Sequence, residues 1–269
     1  MTIRAALLIA PVALVFAAVG SLFGAVGATV ALAIATVAAF WNASAALLPR
    51  LGAREITDPG LLETVRRLAD RAGIPAPAIF ELEEPQPNAL AVGLTPSNAA
   101  LVLTAGLRRT LRGAELAAVL GHEISHIRHR DCLAAGIGSS LVGAIVSLAL
   151  VLGALGFAMR RQGGGALIAL AVVAPVAALL LHLAAGRSAE YRADREGAEL
   201  AGGAESMIAA LLRLDAASRR LASRTALQRP ALASLFIVDP LPGTWWARWF
   251  STHPPIAKRI RRLEMLARS

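Results

Sequence analysis

Cysteine is almost absent: Cys132 is the only one in 269 residues. That excludes an intrachain disulfide framework and any multi-cysteine metal cluster. Histidines number five, so an ordered grouping of them is informative. Aromatic residues make up 4% and charged residues 17%, against 56% hydrophobic. An average soluble domain is about 45–50% apolar and about 25% charged. The excess is therefore aliphatic; it excludes a disordered chain and argues against a purely soluble one. Lysine is missing except for Lys258, and the net charge of +9 is carried by arginine. The arginines are scattered or flank apolar runs, which fits an anionic membrane surface and no nucleic-acid partner.

Residues 5–41 contain no charged side chain. As one helix they would reach about 55 Å, nearly twice a hydrocarbon core of ~30 Å. Two spans with a turn near Gly20, Gly24 or Gly27 fit better, and the run far exceeds the apolar core of a signal peptide. Trp41 then falls at the interface. A second apolar block covers 133–186, interrupted by Arg160, Arg161 and three glycines at 163–165. Its halves, 133–159 and 166–186, are each long enough to span, and Pro175 is tolerable there. His182 reads as an interfacial or packed histidine. Four spans put residues 44–131 and 187–269 on one side. Arg4, Arg50, Arg54, Arg128, Arg130 and Arg187 crowd that side, which makes it cytoplasmic, against the counter-signal of Arg160 and Arg161.

The polar segments suffice for one core. Residues 60–72 read as an amphipathic helix with Leu61, Leu62, Val65 and Leu68 inward, stopped by Pro75 and Pro77. Residues 78–82, 89–94 and 100–104 read as short strands between Pro and Asn turns. Residues 114–131 form a helix running directly into the third span, and 187–222 form more helix. Met207, Ile208, Leu211 and Leu212 read as core.

His122-Glu123-Ile124-Ser125-His126 fits H-E-x-x-H. On a helix, positions i and i+4 share a face, so both imidazoles reach one ion. Glu123 stands beside the water such an ion holds and can take its proton. Leu116, Val119 and Leu120 lead in at helical spacing without a breaker. Hydrolysis needs a third protein ligand and an open position. Candidates are His129, Asp131, His182, Glu190, Asp194, Glu196, Glu199 and His253. His129 lies ~10 Å along the axis from His122. Glu190 is preferred, because the fourth span returns the chain to the face that the motif helix enters. Asp194, four residues on, can hold the free ring N–H of a ligating histidine.

The stretches Asn88-Ala-Leu-Ala-Val-Gly, Leu103-Thr-Ala-Gly-Leu, Glu115 through His126, Arg187-Ser-Ala-Glu-Tyr-Arg-Ala-Asp-Arg-Glu-Gly-Ala and Ser251-Thr-His-Pro-Pro together resemble the HtpX-type membrane zinc metallopeptidases, relatives of the CAAX prenyl proteases. The resemblance implies a mainly α fold with a small β-sheet, an α+β zincin-like catalytic domain, plus four transmembrane helices in two hairpins. The layout is a hairpin at 1–43, a first catalytic part at 44–131, a second hairpin at 132–186 and a second catalytic part at 187–269. It implies one Zn2+ held by His122, His126 and Glu190, with Glu123 as general base and Asp194 in support. Asn88, Ala89 and Ala91 begin the segment expected to bind substrate as an edge strand. His253 either stabilises the oxyanion or caps the helix begun by Pro254 and Pro255. The expected setting is the bacterial inner membrane, multi-pass, with the catalytic domain in the cytoplasm. The expected partners are unfolded or membrane protein substrates and the lipid bilayer, in quality control and stress response.

Other readings compete. A catalytically idle membrane scaffold or metal sensor has no need of Glu123. A metal transporter would want ionisable groups inside the spans, and only His182 is there. A prenyl-protein peptidase would want more spans to enclose its chamber. Trp245, Trp246, Trp249 and Phe250 read equally as an interfacial anchor and as core. Lys258, Arg259, Arg261 and Arg262 read as a solvated or headgroup-facing side of the last helix, and Cys132 as a small buried apolar residue.

Overall fold

The computed structural model describes residues 48–49, 52–218 and 253–268. The expected first hairpin, with Trp41, and the aromatic cluster at 245–250 lie outside the described residues. The described part is mostly helical with one small mixed sheet.

The first strand, β1 (Arg54–Glu55), precedes helix α1 (Pro59–Ala72). Asp58 caps α1: its carboxylate accepts from Gly60 N at 3.0 Å and Leu61 N at 3.3 Å, and Pro59 fits the first turn, where no N–H is needed. Leu61, Val65, Leu68, Ala69 and Ala72 face inward. Leu62, expected among them, is exposed, because it sits at the edge of that stripe, about 100° round from Leu61. Gly73 at φ 70 ends the helix, before the prolines thought to stop it. Arg71 then donates to the carbonyls of Leu200 at 2.6 Å and Glu199 at 3.3 Å.

Strands β2 (Ala78–Leu82), β3 (Ala89–Val92) and β4 (Ala100–Thr104) follow, and the sheet order is β1-β2-β4-β3. β2 and β4 are parallel; the outer pairs are antiparallel. β4 alternates between two cores: Leu101 and Leu103 join the main one, while Ala100 and Val102 join a smaller cluster with Leu82, Leu90 and Val92. β3 is two residues shorter than expected. Gly93, at φ 111, takes it into the turn; a Cβ there would lie 2.6 Å from Asn98 O. Thr95 and Asn98 close the turn, with Thr95 N donating to Asn98 Oδ1 at 2.9 Å.

Thr104 caps a short helix, α2 (Ala105–Thr110), through a bond from Leu107 N at 3.1 Å. Helix α3 (Gly113–Arg128) carries the histidine motif and is buried on every side over residues 118–125. It does not run on into the next helix as expected. His129 caps it, Arg130 adopts φ 55, and α4 (Asp131–Ala158) starts afresh. A turn at 159–164 leads to α5 (Gly165–Ala201), which continues past its apolar stretch without a break. Helices α6 (Ala204–Ser218) and α7 (Ile256–Ala267) complete the described elements.

Among the described residues, α4 and α5 are long and apolar enough to cross a membrane. Ala134–His182 form one compact unit. Within it the helices run antiparallel, with Gly153 against Ala171 and Gly156 against Gly164. His182 packs on Gly138 and lies 3.5 Å from Ser139 Oγ. The second unit holds the described residues up to Leu133 and from Leu183 onward. Its core joins α1, α3 and the sheet, and a further cluster joins Ala118, Ala198, Met207, Leu211 and Leu263. Leu212, expected in the core, is 54% exposed, one position round the helix from the buried line of Met207, Leu211 and Leu214.

Candidate metal centre

The two motif histidines stand one turn apart on α3, with ring centroids 4.7 Å apart and planes at 82°. Their Nε2 atoms face each other at 3.1 Å. Glu190, on the charged end of α5 beyond its apolar stretch, brings Oε1 to 3.4 Å from His126 Nε2 and Oε2 to 3.7 Å from His122 Nε2. The three potential ligand atoms lie within 4.8 Å of one another. His122 and Glu190 are buried and His126 is partly so.

The outer ring nitrogens each face a carboxylate. His122 Nδ1 lies 3.0 Å from Asp194 Oδ1, and His126 Nδ1 lies 2.8 Å from Asp131 Oδ2. Carboxylates there keep the proton on Nδ1 and leave the Nε2 lone pairs aimed at each other and at Glu190. Three acceptors pointed at one volume repel unless a cation joins them. Bonds of about 2.0–2.1 Å in a tetrahedron put ligand atoms about 3.3–3.4 Å apart, and the observed 3.1, 3.4 and 3.7 Å bracket that edge. Glu190 Oε2 is buried and makes no hydrogen bond among the described residues. Burial disfavours a charged His126, yet its bonds to Asp131 and Glu190 outweigh this and lift it to about 10. In the metal-free site a proton thus does the work that a cation would do. The residues present therefore fit a divalent ion.

Glu123 is buried beside them, and burial raises its pKa against the pull of His122 and His126. Asp194 is more than a partner for His122. The Arg259 guanidinium reaches it through Nε at 2.7 Å and Nη2 at 2.5 Å. Burial alone would raise the Asp194 carboxyl; Arg259 and His122 overcome that and hold it at about 2. Arg259 was expected on a solvated face, but it is 1% exposed, because it shares the inward stripe of α7 with Leu263 one turn on. His253, just before α7, places Nδ1 3.0 Å from Glu190 Oε1.

Other candidate ligands are engaged elsewhere. Glu196 accepts from Ser125 Oγ at 2.8 Å and pairs with His129 Nε2 at 2.8 Å. The Glu199 carboxylate pairs with Arg195 at 3.5 Å. Ala89 and Ala91 lie on β3, an edge strand of the sheet, and Asn88 immediately precedes it. Asn88 O accepts from Thr104 N at 3.0 Å, so by alternation Ala89 and Ala91 turn their N–H and C=O groups away from β4. All four β3 residues are buried, and Ala91 O accepts from Cys132 Sγ at 3.3 Å. Cys132, expected to be buried, is half-buried. Sequence reasoning missed Arg259 and Arg192; neither carries a spacing signal, since their partners lie 65 and 61 residues away.

The chain is similar to several known proteins. A "Protease HtpX homolog" of Pelotomaculum thermopropionicum is 44% identical over 218 residues, covering 78% of this chain and 76% of that protein. Another from Acidiphilium cryptum is 42% identical over 238 residues, covering 85% and 82%. The crystal structure of S. mikatae Ste24p aligns with a TM-score of 0.67 at 19% identity. It covers 97% of this chain, which spans 64% of that protein, and the likeness speaks to the fold. Residues 55–267 match the description of Peptidase family M48. The chain belongs to peptidase family M48.

Proposed function

We propose that this member of the family is a zinc-dependent endopeptidase of the bacterial inner membrane, with its catalytic part in the cytoplasm, acting on misfolded or membrane proteins in quality control. The observation that carries the reading is the convergence of His122, His126 and Glu190 within 4.8 Å, with a buried carboxylate, Glu123, next in the chain. These three side chains would hold the ion, and α4 and α5 would be two of its membrane spans. When bound, zinc acidifies water and polarises the scissile carbonyl. The Glu123 carboxylate accepts the proton of the attacking water and delivers it to the leaving amine nitrogen. Asp194 holds the His122 ring in the ligating tautomer, and Arg259 holds Asp194. His253, anchored to Glu190 through Nδ1, stabilises the oxyanion through its other ring nitrogen.

The substrate main chain pairs with β3 at Ala89 and Ala91, with Asn88 at the start of that edge. Pairing displaces the Cys132 thiol from Ala91 O. Such recognition reads backbone, which suits extended, unfolded segments. An idle scaffold of the same fold is disfavoured by the retention of Glu123 in a buried position where its charge is costly. The test is cleavage of an unfolded protein by the detergent-purified full chain. Zinc should activate the wild type and leave Glu123→Gln inert. An inert wild type with one bound zinc per chain would give the scaffold reading the field.

A further inference from the structure

The two histidines of the site are supported differently. His122 is fully buried, and its carboxylate partner Asp194 rides on the same helix as Glu190. The His126 side chain is 14% exposed, and its partner Asp131 is the first residue of α4. Between ring and partner the chain leaves α3 and passes through Arg130 at φ 55. A carboxylate attached only to such a turn would hold the ring no more firmly than the turn itself. Asp131 has a second anchor. Arg192 Nη2, on α5, donates to Asp131 Oδ1 at 2.6 Å and Oδ2 at 2.8 Å. Imidazole, carboxylate and guanidinium thus link α3, the start of α4 and α5, the helix that also carries Glu190.

Resting on the metallopeptidase reading above, we infer that Asp131 and Arg192 form a brace that positions His126 for metal binding. Asp131 keeps the ring proton on Nδ1 and the Nε2 lone pair toward Glu190 and His122. Arg192 fixes Asp131 and ties it to α5, so that two ligands from different helices keep their spacing. Neither residue touches the ion; both are positioning residues. Losing a carboxylate partner of a ligating histidine typically weakens metal binding about 10- to 100-fold. Arg192 acts at one remove and its side chain is 34% exposed, so its effect is smaller.

The test is the zinc dissociation constant of the full chain in detergent, measured by chelator competition. Asp131→Ala is expected to weaken zinc binding about 10- to 100-fold. Arg192→Gln should weaken it less, and the double variant should bind no worse than Asp131→Ala, because Arg192 acts only through Asp131. Asp131→Asn keeps an acceptor oxygen and should recover part of the loss; with Arg192→Gln it carries the test if Asp131→Ala does not fold. Wild-type zinc affinity in Asp131→Ala, or full additivity in the double variant, overturns the brace. His126→Ala separates this failure from a deeper one. If His126→Ala loses zinc while Asp131→Ala does not, only the brace falls; if His126→Ala also binds like wild type, the metal-site reading falls and takes the brace with it.

Discussion

Helices α3 and α5 cross backbone to backbone at two glycines, and adding one methyl there tests how the site is assembled. A Cβ on Gly197 would lie 2.7 Å from His122 N and 2.9 Å from Ala118 O. Both are main-chain atoms of α3 and cannot rotate aside. Ordinary contact begins at 3.4 Å, so α5 must retreat by about 0.7 Å in a core that is already close-packed. Glu190 lies two turns earlier on the same helix and moves with it, whereas metal sites tolerate distance errors of about 0.2 Å. Gly197→Ala should therefore destabilise by about 1–3 kcal/mol through overpacking. If that strain falls on the site, zinc affinity drops about 5- to 150-fold. Helix propensity alone gives the opposite sign, since alanine is favoured over glycine by about 1 kcal/mol. Gly143→Ala on α4, where a Cβ meets nothing within 4 Å among the described residues, is the control and should be neutral or stabilising. The assay pairs thermal unfolding of the zinc-free chain in detergent with zinc affinity by chelator competition. A Gly197→Ala protein that is as stable as wild type and binds zinc as tightly would refute the reasoning.

Three further outcomes are expected. Glu123→Gln should lower kcat by about 10²–10⁴-fold while zinc content stays at one per chain; a loss of zinc instead would place Glu123 among the ligands. Asp194 is held at about 2, below its ordinary 3.8, so the stability it adds is complete above the ordinary value and disappears as pH falls through about 2. In the zinc-free chain that contribution is about 2 kcal/mol. Asp194→Asn should lose stability at neutral pH and show a shallower fall in unfolding temperature between pH 4 and 2; an unchanged slope would contradict the assignment. Ala91→Pro removes an N–H turned away from β4, and should raise KM for peptides sharply with zinc still bound; unchanged peptide kinetics would take the strand out of substrate binding.

Much of this was legible because the governing patterns are local. His122 and His126 at i and i+4 place two imidazoles on one face, and the alternation of β4 marks a strand. Glu190 and Asp194 were readable as a pair from helical spacing and the return of the fourth apolar segment. The break between α3 and α4 was not readable, since the left-handed position is filled by Arg130, with no glycine or proline to flag it. Helix α2 was missed because it is six residues long and is capped by the last residue of β4. Arg259 looked like one of several solvated cations, and only the fold brings it to the Asp194 carboxylate. Asp131 was weighed as a ligand and instead lies 2.8 Å from the outer nitrogen of the His126 ring.

The central claim is that two imidazoles and one carboxylate share a single ion. X-ray absorption at the zinc edge on the zinc-loaded chain tests it most directly. The account expects one zinc per chain, a first shell of nitrogen and oxygen at about 2.0–2.2 Å with imidazole scattering from two rings, and loss of that spectrum in Glu190→Ala. A sulfur shell near 2.3 Å, or a spectrum unchanged in Glu190→Ala, would contradict it.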